Sequence, residues 1–299
     1  MPAHSLLVDA SIYIFRAWFG LPDRWHTPDG MPLNAVVGYL GFLLDLLATR
    51  PDNAVAVAVA FDESLGSGFR HRLYPHYKAS RALPDEALAF QLTTCRQLTE
   101  ALGVPCHGGP EYEADDYLAT LALRCRQAGG RVTVVTRDKD LGQVLEAGDS
   151  WWDGGATRLD VAGFSQRFGV QPAQFADYQA LVGDTVDDIP GVPGVGPRTA
   201  AALLQHFPDL AALEAGLGEI ANLPLRGAAS LQQRLQDAWP QVLLSRRLTG
   251  LRTDIPAVSA PANWIADARA LCAVEQRLAE LKLPPRLRRR CADLVEATA

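Results

Sequence analysis

The sequence predicts an α/β fold: a doubly wound, mostly parallel sheet followed by a C-terminal helical region. Three observations predict it. Apolar runs of strand length recur at residues 6–8, 54–61 and 131–136, and continuous rather than alternating apolar strands are those of a sheet buried on both faces. Helix-periodic stretches separate these runs, and strand–helix alternation implies parallel strands with helices on both sides. From residue 164 onward the pattern is almost wholly helical.

Taken in order, Leu6-Leu7-Val8 is the first strand and ends in Asp9. A carboxylate at the C-terminal end of a buried strand sits where open α/β sheets bind ligands, although Asp also caps helices. A helix follows across 12–19 and carries Arg16. Residues 34–49 have helical periodicity. The second strand, 54–61, is bounded by Pro51-Asp52-Asn53 and again ends in a carboxylate, Asp62. Residues 64–68 are Gly/Ser-rich, and 69–81 interleave Arg70, Arg72, Lys78 and Arg81 with Phe69, Tyr74 and Tyr77. Bases alternating with aromatic rings suit single-stranded nucleic acid, and a solvated loop would carry the same charges.

A helix is expected at 85–102. The next begins at Glu113-Ala114-Asp115-Asp116 and is closed by Gly129, as a glycine just past a helix end should close it. Glu113 and Asp116 share a helical face. Two unpaired charges about 5 Å apart repel by about 3 kcal/mol at an effective dielectric of 20. Such a cluster is solvated, partly protonated or holding a cation, and the same acids also suit the positive end of a helix dipole. The third strand, 131–136, runs into Asp138 and Asp140. Residues 150–160 read as a hairpin and 164–181 as one helix. Asp184 and Asp187, one helical turn apart, precede Gly191, Gly194, Gly196 and Pro197, which opens a helix through His206. A Gly-rich turn entering a helix aims backbone N–H groups at an anion. Residues 256–263 look like a linker, and an amphipathic segment ending in Arg286–Arg290 closes the chain.

Composition narrows the class. A chain of 299 residues holds one large domain or two modest ones. No apolar run reaches a membrane span, and the start, Met-Pro-Ala-His-Ser, lacks a basic signal region. The five cysteines form no CxxC or zinc spacing, so a cytoplasmic protein with reduced thiols is expected. A net charge of −6 argues on its own against nucleic acid. With the acids gathered in one metal site, the remaining surface can still be neutral or basic. Of 28 lysines and arginines only Lys78, Lys139 and Lys282 are lysines, and two of the three fall in the stretches already described.

The ordered set LLVDAS, VAFDES, FRHRLYPHYKASR, YEADDYLATLA, VVTRDKDL, GDTVDDIPGVPGVGPRTA and LRTDIP resembles the 5′-nuclease (flap endonuclease) family, including the 5′–3′ exonuclease domain of bacterial DNA polymerase I, over residues 5–257 and more weakly to 285. The resemblance implies a PIN-like catalytic core over 1–165 with a helical arch or clamp at about 64–90. A helical region with a helix–hairpin–helix element would span 166–257, and a helical tail 258–299. It implies a free-standing 5′–3′ exonuclease and structure-specific 5′ flap endonuclease, acting on DNA without sequence preference in replication and repair. Two Mg²⁺ ions, with Mn²⁺ able to substitute, would be required. A polymerase or ligase partner is not readable.

Carried over residue by residue, the resemblance puts the first metal near Asp9, Asp62, Asp115, Asp116 and Asp138, with Glu113 contributing partly through water. The second lies towards Asp140, Asp184 and Asp187. Lys78, Arg81 and Arg70 would contact the scissile phosphate, with Arg16 and Tyr77 nearby. Gly191, Gly194, Val195, Gly196, Pro197, Arg198 and Thr199 would hold duplex backbone. The carbonyls of Leu181, Val182, Pro190, Val192 and Val195 would hold potassium. Two departures stand out. Asp188 replaces a frequent Asn, adding a negative charge expected to bear on the second metal, and Pro197-Arg198 replaces a frequent Glu-Lys while keeping a cation. A non-catalytic DNA-structure-binding protein of the same fold is the alternative; a metal-dependent ribonuclease on the same core would lack the hairpin stretch.

Overall fold

The structure, a computed structural model, describes residues 4–50, 53–64 and 66–296. The turn expected at Pro51-Asp52, Leu65 in the Gly/Ser-rich segment, and the chain ends at 1–3 and 297–299 lie outside them.

Elements alternate through the first half: β1 (His4–Asp9), α1 (Ala10–Gly20), α2 (Asn34–Thr49), β2 (Ala56–Ala60), α3 (Phe69–Leu73), α4 (Glu86–Ala101), β3 (Cys106–His107), α5 (Ala114–Gln127), β4 (Arg131–Val135), β5 (Ser150–Trp152) and β6 (Arg158–Leu159). The six strands form one sheet in the order β3-β2-β1-β4-β5-β6. Only the β5–β6 hairpin is antiparallel. Because side chains alternate across a sheet, Leu6, Val8, Val57, Val59 and Val135 face one core with α1, α2 and α4. Leu7, Ala58, Ala60, Val132 and Val134 face α5 on the other side. Both faces are covered, which is why these strands carry no polar alternation.

The second half is helical: α6 (Val161–Phe168), α7 (Phe175–Val182), α8 (Pro197–His206), α9 (Leu210–Ala215) and α10 (Ala228–Thr249), around a core of its own that includes Phe164, Phe175, Leu203 and Leu235. The single helix expected at 164–181 is broken. Gly169 takes φ 76 as the C-cap of α6, and a one-turn 3₁₀ segment at Pro172–Gln174 leads into α7. Asp184 and Asp187 are not on a helix either. The Asp184 and Ile189 backbones pair across a tight loop at 2.9 and 2.8 Å, so both carboxylates project from a turn.

The C-terminal segment differs most from expectation. Asn263 bridges to Ala56, and Trp264 N–H donates to the Val55 carbonyl at 2.8 Å. Residues 256–263 therefore return the chain to the start of β2 rather than leading away from it. Helices α11 (Ala268–Glu280) and α12 (Pro285–Glu296) then bury Leu271, Val274, Leu278, Leu287 and Cys291 in the core shared by α2 and α4. The last helices complete the first core.

Candidate active site

The parallel topology brings the C-terminal ends of β1, β2 and β4 side by side, and with them Asp9, Asp62 and Asp138. Asp9 is buried. Its carboxylate accepts a hydrogen bond from the Thr136 hydroxyl at 2.9 Å, while the same oxygen of Thr136 accepts the Asp138 N–H at 2.9 Å. The Asp138 carboxylate accepts the Asp140 N–H, and the Asp62 N–H donates to Ser11 Oγ. Asp115, on the first turn of α5, completes the group. Burial raises Asp9 to about 7, opposed by the Thr136 hydrogen bond and reinforced by the charge of Asp138. Asp115 is raised well above the carboxylate range by burial and by Asp138 and Asp9. Burial also raises Asp62, beside Glu113. These carboxylates perturb one another because too little positive charge lies among them.

The site's cations sit one step away. Lys78 Nζ donates to Glu113 Oε1 at 2.6 Å and lies 3.7 Å from Asp187 Oδ2. Burial alone would lower the ammonium, but Glu113, Asp187 and Asp62 outweigh it and raise it. Arg81 pairs with Asp187, and the Tyr77 hydroxyl donates to Glu113 Oε2 at 2.9 Å. Lys78 holds φ 51, with its N–H bonded to the Asp187 carbonyl at 3.0 Å. A non-glycine residue in that region costs energy that its surroundings must supply. Lys139 spans the remaining acids, 2.7 Å from Asp184 Oδ2 and 3.1 Å from Asp140 Oδ1. Gln179 also donates to Asp140 at 2.7 Å.

Several expected site residues are placed elsewhere. Asp116 is fully buried and takes a bidentate pair from Arg70 at 2.6 and 2.8 Å. It also accepts the N–H groups of Glu113 and Arg252. Arg70, itself buried, spends its other donors on Glu113 and the carbonyls of Leu248 and Gly250. A carboxylate with every lone pair engaged is no open ligand, and an enclosed guanidinium is no phosphate clamp. The two are a structural ion pair instead. Asp188 does not face the second acid group: its carboxylate accepts from Ser80 N–H at 2.9 Å and Ser80 Oγ at 2.7 Å. Arg16 is exposed on α1 beside a groove formed with Tyr13, Gly38 and Phe42, and its charge and that of Asp9 both act on the Tyr13 hydroxyl. The expected arch at 64–90 contains the five-residue helix α3, a series of turns to Arg81, and the first residues of α4.

The hairpin after α7 is tight. A Cβ on Gly191 would lie 2.1 Å from the Val182 carbonyl, and Gly183 and Gly194 take φ 82 and 75. The carbonyls of Leu181 and Val192 accept the N–H groups of Val192 and Val195, and that of Pro190 accepts the Ser245 hydroxyl. Gly196 caps α8 with open space beside it; Pro197 and Arg198 are exposed, and Thr199 N–H closes the turn onto the Gly196 carbonyl. Thr136, Gln179 and the partnership of Lys139 with Asp184 were not legible in the sequence, since each depends on a contact between distant segments. The scarcity of lysine was the one available signal, and it marked Lys139.

A carboxylate cluster thus lies at the C-terminal edge of the parallel sheet, flanked by fixed cations and joined to a helical unit with a glycine-rich hairpin at a helix N-terminus. Residues 4–169 match the family model of the 5′–3′ exonuclease N-terminal resolvase-like domain, and residues 170–282 that of the 5′–3′ exonuclease C-terminal SAM fold. The chain belongs to the 5′–3′ exonuclease family. It is 34% identical to a 5′–3′ exonuclease of Streptomyces coelicolor over 270 residues, 84% of this chain and 87% of that one. It is 38% identical to DNA polymerase I of Rhizobium leguminosarum over 259 residues, 85% of this chain but 25% of that protein, so it spans about a quarter of the length of such polymerase relatives. Its fold is that of the phage T5 flap endonuclease in complex with DNA and metal ions, at a TM-score of 0.66 and 18% identity, covering 99% of each chain. No helix among the described residues is long and apolar enough to cross a membrane.

Proposed function

We propose that this chain is a metal-dependent 5′–3′ exonuclease and 5′ flap endonuclease that hydrolyses DNA phosphodiester bonds in replication and repair. One observation carries the reading: Asp9 and Asp115 are carboxylates raised by desolvation and by the charge of Asp138, with Asp9 adding to the rise of Asp115, next to cations held ready at Lys78 and Arg81. The all-oxygen donor set fits Mg²⁺ or Mn²⁺ and not zinc. Among the described residues no three such side chains are gathered as a finished cage. Asp9, Asp62, Asp115 and Asp138 would hold one ion, with Glu113 oriented by Tyr77 beside it. Asp140, Asp184 and Asp187 would hold the other, where the Lys139 ammonium already rests against two of the three carboxylates. When bound, the two ions would supply an acidified water and charge stabilisation for the departing oxygen.

The chain's own residues do the rest. Lys78 and Arg81 neutralise charge developing on the phosphoryl oxygens. Their attachment to Glu113 and Asp187 orients both cations and is exchanged for the phosphate when substrate arrives. The segment from Tyr77 to Arg81 lies against the acids of the site and contacts the 5′ strand. Residues Gly191–Thr199 and the N-terminus of α8 hold duplex phosphates without reading sequence. The carbonyls of Leu181, Val182, Pro190, Val192 and Val195 take a potassium ion; three of them already accept one hydrogen bond, and a carbonyl oxygen offers two lone pairs. The five free thiols suit work in the cytoplasm.

The test is cleavage of a 5′-labelled flap duplex with Mg²⁺, with EDTA as control and Asp138→Ala alongside. We expect metal-dependent release of the flap, with Asp138→Ala inactive but still binding DNA. Near-wild-type turnover by Asp138→Ala would overturn the metal assignment. Binding without cleavage in both Mg²⁺ and Mn²⁺ would favour a DNA-structure-binding protein.

A further inference from the structure

Behind the catalytic cluster, on the far side of the Arg70–Asp116 pair, lies a cleft of about 480 Å³ lined by Phe69, Leu73 and four arginines, Arg72, Arg246, Arg247 and Arg252. No acidic side chain lines it. Arg72, Arg246 and Arg252 have carboxylate partners, Glu111, Asp177 and Asp254, outside the cleft lining. Arg247 is exposed and makes no ion pair among the described residues. The Arg72 and Arg252 pairs are exposed and contribute little, so a denser anion displaces their carboxylates readily, whereas Asp177 is buried and Arg246 stays paired through Nε, leaving its terminal nitrogens to the cleft.

The cleft is built rather than incidental. Arg70 binds the carbonyls of Leu248 and Gly250, and Asp116 binds the N–H of Arg252. The buried pair thus fixes the backbone that presents Arg246, Arg247 and Arg252. The same Arg70 contacts Glu113, which holds Lys78, so cleft and catalytic cations share one rigid frame. On α3, Arg70 turns inward to that frame while Arg72, two residues on, is exposed. Phe69 offers a half-buried ring with the Arg252 guanidinium 5.9 Å from its centroid.

We infer that this cleft binds the single-stranded 5′ tail of the substrate beyond the scissile bond, its phosphates on the four arginines and a base against Phe69. Guanidinium groups around an aromatic ring are how single strands are held without sequence preference. Folded duplex does not offer an unstacked base to such a ring. The inference rests on the flap-nuclease reading above and adds to it a second, non-catalytic anchoring site, reached only by long tails.

The test is equilibrium binding, without added metal, of duplexes carrying either a long oligo-dT 5′ flap or a single-nucleotide flap, to wild type, Arg247→Glu and Arg72→Glu/Arg247→Glu. Both residues are exposed, and an unchanged Tm confirms folding. We expect the Kd for the long flap to rise several-fold in the single variant and further in the double. The log Kd against log salt plot should become shallower by about 0.7 for each phosphate that an arginine no longer neutralises. The single-nucleotide flap should bind as before. Equal weakening of both substrates, or no change in either, would overturn the inference. So would competition for the cleft by polyglutamate but not by oligo-dT, which would mark an acidic protein partner. Because the readout is binding, a wild type that holds long flaps through these arginines but cuts none would sink the nuclease reading and leave this one standing.

Discussion

Asp188 illustrates how much one side chain's direction decides. Beside Asp187 in sequence, it reads as extra charge at a metal site. In the structure it occupies φ 55 and clasps Ser80, just downstream of Tyr77 and Lys78. Its contacts thus tie it to that segment. Asp188→Gly removes the clasp without left-handed strain. We expect a several-fold higher KM for flap substrate, with kcat at saturation and the Mg²⁺-induced rise in Tm unchanged, and rescue by Asp188→Asn, which keeps an acceptor and tolerates the same backbone. A lost Mg²⁺ response would return Asp188 to the metal site. Asp9 carries a second residue-scale prediction. Its folded value is raised to about 7 from an ordinary 3.8, so the metal-free fold holds its proton more tightly than the unfolded chain. This contribution to stability is complete below the unfolded value and is lost as pH rises through about 7. Metal-free Tm should accordingly fall between pH 5 and 8 less steeply in Asp9→Asn than in wild type, and added Mg²⁺ should raise the wild-type Tm more at pH 8. Identical slopes for the two proteins would refute the assignment.

At the scale of elements, the hairpin between α7 and α8 leaves no room for a side chain at its base. Gly191 lies against the Val182 carbonyl, and an added methyl would sit 2.1 Å from that oxygen. Backbone on both sides leaves nothing to swing away. Gly191→Ala should cost about 1–3 kcal/mol or more by overpacking and should lower affinity for blunt duplex. Gly218→Ala meets open space and serves as the control. Chemical denaturation and duplex binding measured together check this; a stable variant that binds normally would mean the hairpin can open without consequence. The start of α5 shows the complementary case. Glu113 is the N-cap and Asp116 the reciprocal partner of a capping box, so two of the three acids that attract attention in sequence also perform an ordinary capping task. Asp115, between them, is left to face Asp9 and Asp138.

Over the whole molecule, the chain folds forward into a sheet unit, on into a helical unit, and finally back. Trp264 is the hinge of that return, buried with its indole N–H on the Leu102 carbonyl at 3.0 Å. Truncating it should destabilise the sheet unit, not a detachable tail: Trp264→Ala is expected to cost about 3–5 kcal/mol, read by chemical denaturation as a lower midpoint of the main transition. A separate low-stability transition with the main one unmoved would mean that α11 and α12 dock weakly. The exit of α10 places the Leu248–Arg252 backbone against Arg70, so the frame beneath Lys78 is assembled from α3, α5 and that exit together.

The sequence by itself determined the three central strands, the hairpin beside them, the strand ends and most of the acids, but not the short β3 or the strand order. Period and apolar run length report local burial, and a carboxylate at the end of an apolar strand needs no partner to be noticed. Asp9, Asp62 and Asp138 were legible for that reason, as were α2 and the glycine-rich hairpin, whose signals lie within a few consecutive residues. Only the tertiary structure decided which charges face one another. That Arg70 is sealed onto Asp116, that Asp188 turns to Ser80, and that Lys139 reaches Asp184 are outcomes of packing segments up to 108 residues apart. The break at Gly169 and the return at Trp264 belong with them. Charge and helical period are properties of a residue and its neighbours, whereas pairing and closure are chosen by competition among all the surfaces the chain must bury at once.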